Sequence, residues 1–129
     1  MPQLQCEQGP KAIEDFGEEQ LSQTGLFLKV AGGSKAEVLS AAVCRAPAQG
    51  SILEIGSYCG YSAIRMAMAC PGVHVITMEA HPAHVVIARG ILAFAGLAHM
   101  VDVWTGNSKD LLHRLGTRYE GKNKLQLRA

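Results

Sequence analysis

The sequence is poor in the features that mark several classes of protein. Only 5% of its 129 residues are aromatic, and its formal net charge is +1, so no strong field favours nucleic acid or an acidic membrane surface. The longest uncharged run, residues 66–78, contains a Pro-Gly pair and is too short to cross a bilayer. The first ten residues include Glu7 and lack an apolar stretch, so we expect no secretory signal. We therefore expect a cytoplasmic protein that binds neither nucleic acid nor membrane.

Disulfide and metal motifs are lacking as well. The four cysteines have no C-x-x-C spacing, which argues against a disulfide framework and against a structural zinc site. We expect them to be buried, reduced thiols. The five histidines show no metal-ligand spacing either, and we expect His81 and His84 to be exposed side chains without a role.

What the sequence does contain is an alternation of strand and helix patterns. Short apolar or β-branched runs predict strands at 51–55, 74–79 and 101–105. Helix-forming segments with apolar periodicity predict helices at 34–46, 61–70, 82–95 and from 108 onward. Strands separated by helices of this length form right-handed βαβ units, so the sequence predicts one α/β domain with a parallel sheet.

Local signals mark the helix ends. Ser34 and Glu37 have the S-x-x-E spacing of a capping box. Pro82 suits the first turn of a helix, and Gly96 suits the position after a helix end. Ser108 is a candidate N-cap for the last helix. The acidic first 20 residues fit either a surface helix or a frayed arm, and the sequence leaves that choice open.

Ligands of open parallel sheets bind beyond the carboxyl ends of the strands, where three predicted loops meet: 54–62, 79–81 and 106–109. Gly56 and Gly60 allow the first loop to turn tightly and to approach a ligand, and the N–H groups that open the next helix favour an anion. Glu79 stands 23 positions after Gly56, close to where a nucleotide-binding unit has the acid that accepts hydrogen bonds from ribose hydroxyls. These features predict a nucleoside site.

Tyr58 narrows the class of nucleoside. The dinucleotide pattern G-x-G-x-x-G has a glycine at that place to make room for pyrophosphate, and no G-K-[ST] follows any glycine loop of this chain. A bulky tyrosine therefore favours a nucleoside that carries an amino acid over a dinucleotide.

Several segments resemble the catechol O-methyltransferase family, which consists of class I S-adenosylmethionine-dependent methyltransferases. They are LEIGSYCGYSAIRMA at 53–67, VITMEAHP at 75–82 and FAGL at 94–97. The segment FLKVAGGSKA at 27–36 is similar to the family's FLMNVGDVKG. The resemblance implies a Rossmann-like class I methyltransferase fold, of which only the first three strands are present in this α/β chain.

The resemblance also implies site residues for S-adenosylmethionine. The loop around its methionine part would consist of Glu54, Gly56, Tyr58, Gly60, Tyr61 and Ser62. Glu79 would bind the ribose hydroxyls, Ala80 would lie against the adenine, and Ser108 would lie near the adenine edge. Ala31 belongs to the segment that closes over the cofactor, where Ala-Gly-Gly replaces the family's Val-Gly-Asp, and Lys109 replaces its glutamine.

Other parts of the family pattern are missing. The family has a Mg²⁺-binding Asp, a lysine base and an Asp-Asn pair after the helix that corresponds to 110–119, and no Asp follows Asp110 here. The resemblance thus implies a C-terminally truncated chain with no catalytic residue and no metal ligand of its own, although the full-length family uses Mg²⁺. It divides the chain into an acidic arm (1–26), a cofactor-binding domain (27–119) and a basic tail (120–129).

Three functions remain open at this stage. The first is methyl transfer from S-adenosylmethionine to a hydroxyl of a small catechol-type substrate. The second is a non-catalytic module that binds the nucleoside, and the third, disfavoured by Tyr58, is half of a dinucleotide-binding domain. Because the first strand is central in the family, we expect it to form an open edge here, with marginal monomer stability or self-association as the result.

Overall fold

The computed structural model describes residues 2–21, 30, 32–47 and 50–119. Its elements are α1 (Pro2–Phe16), a π-helical turn (Gly17–Leu21), α2 (Ser34–Val43), β1 (Ser51–Ile55), α3 (Tyr61–Ala69), β2 (His74–Glu79), α4 (Pro82–Phe94), β3 (Val101–Thr105) and α5 (Ser108–Tyr119). The three predicted strands are confirmed with the predicted bounds. None of the helices in this part of the chain combines the length and hydropathy needed to span a membrane.

The strands form a parallel sheet in the order β1-β2-β3. Ile52 of β1 lies opposite Val75 of β2, and Val75 lies opposite Val101 of β3. Parallel neighbours need crossover connections, which α3 and α4 supply. The predicted α/β class is therefore confirmed.

Core packing covers β2 on both faces. Val75, which is fully buried, belongs to a cluster with residues of α2, α3 and α4. Ile76 and Met78 point to the opposite face and pack against Leu111 and Leu115 of α5. Because aromatics are few, aliphatic side chains and methionine fill this core, and β2 is the strand that both halves of it share.

Two of the predicted caps are wrong. The N-cap of α2 is Gly33, with φ of +57° and no side-chain cap, so Ser34 and Glu37 do not form a capping box. A glycine tolerates this positive φ, and the helix therefore starts at Ser34, one residue earlier than the box requires. In α5 the side-chain oxygen of Asn107 accepts a hydrogen bond from the N–H of Lys109 at 3.0 Å. Asn107 thus caps the helix, and Ser108 is its first residue.

The other helix signals and the cysteine prediction have mixed outcomes. Pro82 opens α4, and Gly96 follows its end with φ of +71°, as predicted. The three cysteines whose side chains are described are free thiols. Cys59 is buried as expected, but Cys44 is exposed, because it lies in the turn that ends α2.

The acidic N-terminal segment is a helix that packs on the body of the molecule. Ile13 of α1 is buried in a small cluster with Cys59 and Tyr61. An added Cβ at Gly9 would lie 3.5 Å from the Cβ of Ala95 and 3.6 Å from the Cδ1 of Ile64. A glycine at this position lets α1 approach α3 and the end of α4 closely.

β1 forms one edge of the described sheet, because β2 pairs with it on one side and no described strand pairs with it on the other. Ile55 at its end is 61% exposed. An open strand edge with an exposed isoleucine can pair with another chain.

We expect the chain to self-associate in a concentration-dependent manner through β1. Lysine at an edge opposes strand pairing, so Ile55→Lys should shift the protein toward monomer. Sedimentation velocity over a range of concentrations measures this. Val86→Lys is the control, because it makes the same change at a 72% exposed position on α4. A wild-type mass that stays monomeric at every concentration would contradict the expectation.

Candidate functional site

The loop after β1 is hydrogen-bonded to the end of β2. The N–H groups of Gly56 and Ser57 both donate to the carbonyl oxygen of Met78, at 2.8 and 3.2 Å. The N–H of Gly106, after β3, donates to the carbonyl oxygen of Glu79 at 2.9 Å. The three predicted loops therefore converge at the carboxyl end of the sheet.

Left-handed backbone conformations shape this loop, which we call the β1–α3 loop (residues 56–60). Gly56 and Gly60 have φ of +92° and +86°. An added Cβ at Gly60 would lie 3.4 Å from the Cα of Ala88, whereas one at Gly56 would enter open space. Tyr58 has φ of +49° and is the non-glycine residue with positive φ in the described part of the chain. This backbone of Tyr58 is strained, and it turns the N–H of Tyr58 toward β2.

The carboxylate of Glu79 receives that N–H. Its Oε2 accepts from the N–H of Tyr58 at 2.9 Å, and its Oε1 accepts from the N–H of His81 at 2.8 Å. Burial alone would raise the pKa of Glu79, but the N–H donors of His81 and Tyr58 and the nearby His84 outweigh it, so the pKa is lowered. The site thus holds a charged acceptor at neutral pH, and each oxygen keeps capacity for a further hydrogen bond.

His84 is a site neighbour that sequence reasoning missed. Its Nδ1 lies 3.8 Å from the Oε1 of Glu79. Its ring meets the Tyr58 ring edge-on at a centroid distance of 5.0 Å and stacks on the His81 ring at 4.5 Å. His81 is exposed as expected, but His84 is half-buried. The spacing of three residues at a helix start was the available signal, because it brings two side chains together.

A second carboxylate, Glu54, is joined to β2 through two hydroxyl groups. The hydroxyl of Thr77 donates to the Oε2 of Glu54 at 2.5 Å, and the hydroxyls of Ser57 and Thr77 lie 2.6 Å apart. Ser57 and Thr77 are buried. Burial raises the pKa of Glu54 to about 7, while the Thr77 hydrogen bond opposes the rise. Sequence reasoning did not single out Ser57 or Thr77; the one signal was a hydroxyl within an otherwise apolar strand.

A groove of about 500 Å³ beside β1 brings Glu54 together with Ser62 and Lys35. Ser62 is half-buried on the first turn of α3, and Lys35 comes from the first turn of α2. The groove therefore offers an acid, a hydroxyl and a cation to one ligand. Two of the predicted site residues, Glu54 and Ser62, share this groove.

Tyr61 faces the N-terminal helix. Its hydroxyl donates to the carboxylate of Glu14 of α1 and accepts from the Nη2 of Arg65 at 3.1 Å. Burial and the Glu14 contact raise the pKa of Tyr61. The side chain is 2% exposed, so Tyr61 holds α1 against α3 at the end of the β1–α3 loop.

The remaining predicted site residues lie near the rim. Ala80 is exposed next to Glu79, and Ser108 is half-buried at the start of α5. Ala31 lies outside the described residues. Among the residues that the structure describes, no group of three His, Cys, Asp or Glu side chains could hold a metal ion.

Comparison with known proteins identifies relatives of this chain. A family model described as O-methyltransferase matches residues 10–124. The catechol O-methyltransferase of Mus musculus is 40% identical over 90 residues, which are 69% of this chain and 34% of that protein. The chain therefore spans about a third of the length of this curated relative.

The solved structures that resemble this chain include O-methyltransferases as well. The O-methyltransferase from Bacillus cereus in complex with SAH superposes with a TM-score of 0.68 at 26% identity, covering 91% of this chain and 50% of that one. The O-methyltransferase TomG from Streptomyces achromogenes, in complex with SAM, has a TM-score of 0.64 at 29% identity. It covers 83% of this chain and 46% of TomG.

The raised pKa of Glu54 predicts a pH-dependent stability. The folded protein binds this proton more tightly than the unfolded chain, whose carboxyl has the ordinary pKa of 4.5. The stabilisation that protonated Glu54 gives the folded protein is complete below pH 4.5 and is lost as the pH rises through about 7. Relative to Glu54→Gln, the wild-type free energy of unfolding should fall by about 3 kcal/mol across this window. Urea unfolding at a series of pH values measures it.

Glu37→Gln is the matched control for that series, because it removes the same charge at an exposed position of α2. Its unfolding free energy should follow the wild-type curve. If Glu54→Gln also followed the wild-type curve, the burial of Glu54 would not govern its titration.

The two glycines of the β1–α3 loop should differ in their response to alanine. Both have positive φ, which costs an alanine about 1–2 kcal/mol. Only Gly60 has a neighbouring backbone at 3.4 Å from the new Cβ. Gly60→Ala should therefore lower the free energy of unfolding more than Gly56→Ala, because the new Cβ meets Ala88 at the close limit of van der Waals contact. Equal losses in chemical unfolding would contradict the packing difference.

Proposed function

Because the chain belongs to the O-methyltransferase family, we propose that the carboxyl end of its sheet binds S-adenosylmethionine and that the protein serves methyl transfer to a hydroxyl of a small catechol-type substrate. The observation that carries the proposal is the charged carboxylate of Glu79, held at the mouth of the β1–α3 loop by the N–H groups of Tyr58 and His81. The name of the mouse relative supports the catechol class of acceptor.

The residues present fit this cofactor. A Cβ at Gly56 would enter open space, so the loop leaves room for a ligand beside its backbone. Glu79 supplies two oxygens for two vicinal ribose hydroxyls, and the adjacent Ala80 offers a small apolar surface to the adenine. Ser108 would lie at the adenine edge, and Ala31 belongs to the segment that would close over the ligand. When bound, S-adenosylmethionine supplies a methyl group on a positively charged sulfur.

The groove beside β1 suits the amino-acid part of that ligand. An α-carboxylate is complementary to Lys35 and the Ser62 hydroxyl, and an α-ammonium is complementary to Glu54. A nearby ammonium favours the charged form of a carboxyl group, so ligand binding would lower the raised pKa of Glu54. Tyr58, Gly60 and Tyr61 would then act by fixing the backbone between this groove and Glu79.

We assign no described residue to the binding of the methyl-accepting substrate. They contain no group of three ligands for a metal ion, so they do not fit the Mg²⁺ that the family uses, and we derive no step through it. This observation favours a second candidate, which is nucleoside binding without turnover. In both candidates residues 27–119 form the cofactor-binding unit, with α1 packed against it.

Glu79→Gln should weaken the binding of S-adenosylhomocysteine about tenfold. A hydrogen bond to a charged group contributes about 1.5–3 kcal/mol, and a factor of ten corresponds to about 1.4 kcal/mol. Isothermal titration calorimetry measures the affinity, with Glu37→Gln as the control that removes a charge from α2. Wild-type protein that is folded yet gives no heat with this nucleoside would overturn the proposal, as would tighter binding of NAD.

A methyl-transfer assay separates the two candidates. Folded protein that binds the nucleoside is incubated with S-adenosylmethionine, a catechol and Mg²⁺, and methylated product is measured. Product formation supports the enzyme. Binding without product supports the non-catalytic module.

A further inference from the structure

A second concave surface lies at the other edge of the sheet, between β3, α4 and α5. We call it the arginine groove, after Arg89, Arg114 and Arg118, which line it beside Trp104. Its volume is about 450 Å³, within the range of small-molecule sites. It shares no residue with the set proposed to bind the nucleoside.

Two of the three guanidinium groups are held in place by the protein. The Nη2 of Arg89 donates to the backbone carbonyl oxygen of Val103 at 2.8 Å. The Cζ of Arg118 lies 5.6 Å from the centre of the Trp104 ring, a cation–π distance. Each contact uses part of a group that has five N–H donors, so donors remain for a ligand.

The charges in the groove are unbalanced. The described residues that line it include three arginines and no carboxylate. Arg114 and Arg118 are four residues apart on α5, a spacing at which like charges repel by a few tenths of a kcal/mol. An anion between these side chains would relieve that repulsion, and the planar guanidinium fork matches the oxygens of a phosphate or sulfate.

We propose that the arginine groove binds a small ligand that carries a phosphate or sulfate group. The side chains of Arg114 and Arg118 meet the oxyanion, and Arg89, anchored on β3, completes the positive surface. A long polyanion is a poorer fit, because the formal net charge of the whole chain is only +1. The inference does not depend on the nucleoside site, since a different face of the molecule carries it.

Trp104 makes the proposal directly testable, because it is the single tryptophan of the chain and lies in the groove. Inorganic phosphate, and separately sulfate, is titrated into the full chain at constant ionic strength while the tryptophan fluorescence is recorded. We expect a saturable change that sodium chloride does not reproduce. A response to only one of the two anions identifies which group the site accepts.

Arg114→Gln should weaken the affinity for the anion by about fivefold or more, and Arg45→Gln should leave that affinity unchanged. Arg45 is exposed in the turn after α2, so the control removes the same charge elsewhere. Arg114→Lys keeps the charge but lacks the planar guanidinium group, so it should give an intermediate affinity. This variant also provides a test if Arg114→Gln does not fold. An absent response, or equal affinities in the Arg114 variants and wild type, would overturn the proposal.

Discussion

Two successive N–H groups, those of Gly56 and Ser57, donate to the same carbonyl oxygen, that of Met78. This pair of hydrogen bonds turns the chain away from β1 and across the end of β2. The turn presents the N–H of Tyr58 to the carboxylate of Glu79, and it brings the hydroxyl of Ser57 to Thr77. The loop, the acid at the end of β2 and the buried hydroxyl pair are therefore joined by hydrogen bonds into one connected unit.

The two carboxylates of the site differ because their surroundings differ. Glu79 is surrounded by N–H donors, and its pKa is lowered. Glu54 has one hydroxyl partner and is largely buried, and its pKa is raised to about 7. The first carboxylate keeps its charge at neutral pH, whereas the second changes its charge with pH or with a bound cation. Neighbouring strands thus carry one fixed and one adjustable negative charge, both at the same end of the sheet.

The sequence alone predicted the strands, the parallel α/β class, and the location of Gly56, Gly60 and Glu79 at the carboxyl end of the sheet. Hydrophobic runs and strand-end residues are local, so they can be found without knowing the fold. The caps failed because a glycine or an asparagine one position earlier competes for the same helix end, as at Gly33 and Asn107. The contacts of His84, Ser57 and Thr77 were missed because they depend on the conformation of the β1–α3 loop. In that loop the backbone of Tyr58 has a positive φ, and no local sequence pattern indicates this.

The two edges of the sheet are not equivalent. On β3 the guanidinium of Arg89 occupies the carbonyl oxygen of Val103, which a further strand would otherwise use. On β1 no described side chain caps the strand in this way, and Ile55 at its end is exposed. A strand added to the described sheet would therefore meet an occupied acceptor at β3, whereas β1 offers no such obstacle among the described residues.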